Sequence, residues 1–233
     1  MPSRNLDLHG AAPDKASVAL LLIDVINDLE FPRSKKLLKR ALPAANRIAR
    51  LKQRARQRGV PVIYVNDNFG RWRSDFRRQV QHCLEDKVIG HPIAALLQPE
   101  DDDYFVLKPK HSGFFSTQLE ILLKYLGAET LILTGFAANL CVLYTANDAY
   151  MRDFKLIVPP DCIASETAAA DRQALEHMRR WLKADTRPSA KIRLPGNREM
   201  PATGRRTCIY RPRRLIDVPG KRDRMGPGLT DRN

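Results

Sequence analysis

A chain of 233 residues, 43% hydrophobic and 28% charged, has the balance of an ordinary globular protein and room for one large α/β domain, with or without an appendage. No apolar run approaches the roughly 18 residues of a membrane span, and the polar first fifteen residues lack the apolar core of a signal peptide, so a cytoplasmic protein with no membrane partner is expected. The net charge of +14 is lopsided: residues 188–233 hold 12 basic and 4 acidic residues, more than half of the excess, which argues against the folded part as a nucleic-acid surface and leaves such a role to the tail at most.

In chain order, residues 17–25 (SVALLLIDV) form a nearly continuous branched apolar run, which reads as a buried strand ending in a carboxylate, Asp24. Residues 35–58 carry Leu37, Leu38, Ala41, Ala44, Ile48 and Leu51 at helical spacing, with Pro43 as a point of kinking and Gly59 as the stop. A second buried strand is expected over 60–65 (VPVIYV), followed by a loop over 66–78 that contains Phe69 and Trp72. Residues 104–107 read as a short strand ending at Lys108, 116–126 as a helix, and 130–134 (TLILT) as a buried strand followed by Gly135. A helix over 139–151, a strand over 155–158 and an amphipathic helix over 167–184 complete the pattern.

Strands alternating with helices predict a mainly parallel central sheet covered on both faces, a three-layer αβα architecture. In such sheets sites form beyond the carboxyl ends of the strands, and Asp24, Asp67, Lys108 and the segment from Gly135 to Cys141 all fall at strand ends. After Arg187 the periodicity fades. Residues 1–195 are therefore taken as the domain, and 196–233, rich in Pro, Gly and Arg, as a disordered or loosely attached tail.

The four cysteines, Cys83, Cys141, Cys162 and Cys208, include no CxxC pair, so free thiols in a reducing compartment are expected. Cys141 opens a helix, where unpaired N–H groups and the positive dipole end favour thiolate and predict a pKa lowered toward or below about 7. The same N–H groups can hold an oxyanion. Cys141 can equally be a small core residue, Asp24 a cap of its turn, and Lys108 an edge residue reaching for water. His111 offers a second partner for the thiol. Phe31, Phe69, Trp72 and Phe114 are candidates for lining a substrate pocket. No phosphate-binding loop or dinucleotide motif occurs.

Three segments carry a resemblance: LLLIDVINDLEF with Asp24, VLKPKHSGFFST with Lys108, and LILTGFAANLCVLYTANDAYMRD with Gly135, Ala137, Asn139, Cys141, Thr145, Asp148 and Ala149. In order and spacing they resemble the isochorismatase-like cysteine hydrolases, which include nicotinamidase, N-carbamoylsarcosine amidohydrolase and isochorismatase. The resemblance covers residues 17–194. It implies a triad in which Cys141 attacks a carbonyl and forms a thioester, Asp24 moves protons and Lys108 stabilises charge. It also implies a cis peptide between Phe136 and Ala137, with the N–H groups of Ala137 and Cys141 toward the oxyanion, and a homo-oligomer, either dimer or tetramer.

Nicotinamidases carry Asp-x-His after the second strand, with further histidines nearby. Here the place reads Asp67-Asn68-Phe69, and no histidine occurs between His9 and His82. Neither a metal nor another cofactor is therefore expected. The expected function is hydrolysis of a small amide, ureido or related C–N bond in a small-molecule substrate. The alternatives are an isochorismatase-type vinyl-ether hydrolase, or a retired fold that binds nucleic acid through its tail.

Overall fold

The computed structural model describes residues 15–70 and 75–195. The tail over 196–233 and Trp72 lie outside the described residues.

Among the described residues six parallel strands form one sheet. They are β1 (Val18–Ile23), β2 (Val62–Asp67), β3 (Tyr104–Lys108), β4 (Thr130–Phe136), β5 (Lys155–Ile157) and β6 (Ile163–Ala164). The order is β3-β2-β1-β4-β5, with β6 pairing along the end of β4. The chain thus builds outward from β1 in one direction through β2 and β3, then crosses back to lay β4 on the other side of β1. The reversal creates a crevice beyond the carboxyl ends of β1 and β4.

Among the described residues six α-helices cover the sheet: α1 (Ser34–Gln57), α2 (Phe76–Glu85), α3 (His91–Leu96), α4 (Leu119–Leu126), α5 (Leu143–Tyr150) and α6 (Ala168–Trp181). Alternation along β1 divides the core in two. Leu20 and Leu22 pack with Ile48 and Leu51 of α1, Phe76 of α2 and Ile93 of α3. Ala19, Leu21 and Ile23 pack with Leu123 of α4, Ala146 of α5 and Met178 of α6 on the opposite face. Both faces are therefore helical, as the strand–helix alternation predicts, and none of the helices among the described residues is long and apolar enough to cross a membrane.

Pro43 sits inside α1 without ending it. It lies on the exposed face, where a carbonyl deprived of its helical partner reaches water. The loop expected over 66–78 is shorter than the sequence suggests, because β2 extends to Asp67 and α2 begins at Phe76. The side chain of Asp75 caps α2 by accepting from the Arg78 N–H. That helix and α3 have no counterpart in the sequence reading.

Gly135 is required where β4 meets β1. Its φ is +118°, and a Cβ there would stand 2.0 Å from the Ile23 carbonyl oxygen. Ile23 and Gly135 are register partners, so the tight approach sets the end of β4 directly beside the residue that precedes Asp24.

Candidate active site

Asp24 follows β1 in the left-handed region at φ +52°, a conformation that aspartate tolerates better than most non-glycine residues. Its N–H donates to the Val65 carbonyl at 3.0 Å, and its Oδ1 accepts from the Asp67 N–H at 2.7 Å. Its Oδ2 lies 2.9 Å from Lys108 Nζ. Lys108 ends β3 in register with Asp67 at the end of β2, and its side chain is 0% exposed.

Cys141 lies in a single π turn, Ala138–Val142, that leads into α5. Such turns recur at functional sites. The Phe136–Ala137 peptide just before it is cis. Cys141 Sγ lies 3.5 Å from Lys108 Nζ and 3.9 Å from His111 Nδ1, and Lys108 links it to the Asp24 carboxylate. The contact with His111 is long, and its ring packs against Tyr144 at the rim. Lys108 is thus the nearer of the two nitrogen partners of the thiol. The other residues of the third motif fasten this turn. The Thr145 hydroxyl donates to the Cys141 carbonyl at 2.7 Å and accepts from the Gly113 N–H at 3.0 Å. Asp148 accepts from the Ser112 hydroxyl, and Ala149 is fully buried in the core.

Charge and burial compete at these groups. Burial raises the Asp24 carboxyl above its usual range, against the pull of Lys108 and the hydrogen bonds from Cys141, Lys108 and the Asp67 backbone. Burial works against the charged Lys108, but Asp24, Cys141 and Asp67 outweigh it and hold the ammonium above its usual value. The Cys141 thiol is pushed up to about 12, first by burial and then by Asp24, with Lys108 opposing. This corrects the lowered pKa expected from the helix-start position: desolvation and the adjacent carboxylate exceed what one cation offers. The resting thiol keeps its proton and needs a base.

A cleft of about 580 Å³ opens over these groups and is lined by Asp24, Asp67, Phe136, Ala137 and Cys141, with Phe31 and Phe69 at its apolar side. Asp67 Oδ1 accepts from the Phe69 N–H at 2.6 Å and Asn68 Oδ1 from the Gly70 N–H at 2.9 Å, two side-chain turns that carry Phe69 to the cleft. Phe114 does not line it. That ring is buried in the core beneath Arg152 and beside Phe154, because its loop folds inward where Gly113 meets Thr145. Asn139 of the third motif also lines the cleft, as do Asn27, Arg33 and Glu166, which the sequence did not single out. Arg33 and Glu166 form an ion pair with each other at 3.5 Å. They lie on loops without periodicity, and nothing in the sequence marks them. Among the described residues no group of three or more His, Cys, Asp or Glu side chains is arranged to hold a metal ion.

The isochorismatase domain model matches residues 18–186. The uncharacterized isochorismatase family protein YaaI of Bacillus subtilis is 41% identical over 178 residues, covering 76% of this chain and 97% of that protein. A probable inactive nicotinamidase of Arabidopsis thaliana is 31% identical over 66% of this chain and 82% of its own length. Among solved structures, N-carbamoylsarcosine amidase from Thermoplasma acidophilum superposes with a TM-score of 0.59 at 28% identity, covering 76% of this chain and 99% of that one.

Proposed function

The chain belongs to the isochorismatase family, and from that premise we propose that it is a cysteine hydrolase that cleaves the C–N bond of a small amide or ureido compound through a thioester on Cys141. The observation that carries the reading is the contact set at one buried point: Lys108 Nζ lies 2.9 Å from Asp24 and 3.5 Å from Cys141 Sγ, and both of these partners line a cleft. The likeness to an amidase fold adds support.

The chemistry follows from the charge balance. With its pKa near 12 the thiol is a poor nucleophile until its proton is removed. Asp24 shares the Lys108 ammonium with it, and burial raises the proton affinity of that carboxylate, as a base requires. As sulfur attacks the carbonyl carbon, Asp24 takes the thiol proton. The N–H groups of Ala137 and Cys141 receive the oxyanion. Asp24 then protonates the departing nitrogen, the C–N bond breaks, and ammonia or an amine leaves. Water attacks the thioester with Asp24 again as base, which releases the acid and restores the thiol. Lys108 offsets the negative charge that passes among carboxylate, sulfur and oxygen. No step needs a metal, in keeping with an asparagine and a phenylalanine after Asp67.

Against a retired fold stands the buried Lys108, whose ammonium touches both Asp24 and Cys141. The test is a panel of small primary amides, ureido compounds and a vinyl ether, read by release of ammonia, amine or alcohol. Hydrolysis of a C–N bond that disappears in Cys141→Ala is expected. Cleavage of the vinyl ether alone, or of nothing, would overturn the reading.

A further inference from the structure

Lys108 has three N–H donors and no access to water. Three acceptors surround its Nζ: Asp24 Oδ2 at 2.9 Å, Asp67 Oδ2 at 3.4 Å and Cys141 Sγ at 3.5 Å. The donors and acceptors match in number, and the proposed chemistry uses only two of the acceptors. Asp67 is the third. It ends β2 in register with Lys108, its Oδ1 is tied to the Phe69 N–H, and its side chain is 29% exposed to the cleft, against 8% for Asp24. Water therefore supports the charge of Asp67 far better than that of Asp24.

When Asp24 takes the thiol proton it becomes neutral. The buried ammonium loses its nearest counter-charge while the sulfur is becoming covalent and can no longer serve as an anion. A buried cation left in this way is strongly disfavoured. We propose that Asp67 is a positioning residue, the fixed counter-ion that keeps Lys108 charged and aimed at Cys141 while the charge of Asp24 comes and goes. The proposal rests on the reading of Asp24 as proton carrier. The ionisable groups named around this ammonium and thiol are Asp24 from the end of β1, Asp67 from β2, Cys141 from the π turn, and His111 beyond the sulfur.

Two measurements on the full chain test it. On an uncharged amide, Asp67→Asn should lower kcat by about 10- to 100-fold and leave KM within about twofold, because the lost interaction acts through Lys108 rather than on bound substrate. Asp67→Glu should recover much of the rate, and added formate should rescue Asp67→Ala. The second measurement needs no substrate. With lysine labelled at 13Cε, NMR follows the Lys108 titration in Asp24→Asn, which mimics the protonated carboxyl, and in Asp24→Asn combined with Asp67→Asn. The midpoint in the double variant should fall by at least about one pH unit. Equal midpoints would overturn the proposal, as would an Asp67→Asn enzyme of undiminished kcat. Absence of any amide hydrolysis by the wild-type chain would defeat the hydrolase reading alone, and the NMR comparison would still decide the role of Asp67.

Discussion

Lys108 Nζ lies 3.5 Å from Cys141 Sγ, yet the thiol is pushed up to about 12, because burial and the Asp24 carboxylate outweigh that single cation. Alkylation of Cys141 by iodoacetamide should therefore keep accelerating with pH through about 10, with no plateau near neutrality. Removing the anion in Asp24→Asn should lower the apparent thiol pKa, and removing the cation in Lys108→Met should raise it. Shifts in the same direction, or none, would mean that the two side chains do not flank the thiol. Cys83 and Cys162 are buried and pushed up to about 12 by burial as well, so they should label more slowly than the less deeply buried Cys141, which lines the cleft.

Asp24→Asn should also cost turnover. General acid–base steps are worth roughly 10²–10⁴-fold, and Asp24 serves both half-reactions in the proposed cycle. A loss in that range in steady-state kcat, with unchanged circular dichroism, is the expected result.

Gly135→Ala tests the strand junction below the site. The added Cβ would meet the Ile23 carbonyl oxygen at 2.0 Å in a backbone conformation that alanine avoids. A loss of about 3 kcal/mol or more in urea unfolding is expected, together with lost activity, because Asp24 follows Ile23 directly.

Thr145→Val removes one hydroxyl that links the Cys141 carbonyl to the Gly113 N–H. The buried N–H of Gly113 is left without that acceptor, so stability should fall by about 1–3 kcal/mol. Turnover should fall too, as the nucleophile turn loosens from the loop after Lys108. Thermal unfolding and kcat on the same preparation check both.

The carboxyl-terminal boundary can be cut from two sides. Arg54 donates to the Ser189 and Ile192 carbonyls at 3.0 and 2.6 Å, Asp161 accepts from Ser189, and Ile192 is buried against α1. A chain ending at Pro195 should keep its Tm within a few degrees. One ending at Arg187 exposes Ile192's pocket and leaves Asp161 and Arg54 without these partners, so its Tm should drop by about 5 °C or more.

Much of this fold was legible because buried parallel strands are written as apolar runs. The segment VALLLI of β1 and TLILTGF of β4 admit few other readings, and a charged residue at the end of such a run stands out. Asp24 and Lys108 were found by that signal, and Asp67 by the same one, although its contact with Lys108 depends on strand register, which periodicity does not specify. The short helices α2 and α3 were missed because they carry few buried residues, three and two respectively. The thiol was misjudged for a related reason. Position at a helix start is visible in sequence, whereas the depth of burial and the nearness of a carboxylate from another strand are tertiary facts. Phe114 and Phe31 look alike as letters, and only the fold sends one to the core and the other to the cleft.

The most direct test of the central claim is intact-protein mass spectrometry during turnover of the best amide from the panel. The account expects a mass gain equal to the acyl group, mapped to the peptide bearing Cys141, released by hydroxylamine and absent in Cys141→Ala. Turnover at full rate in Cys141→Ala, with no adduct on the wild-type chain, would contradict it.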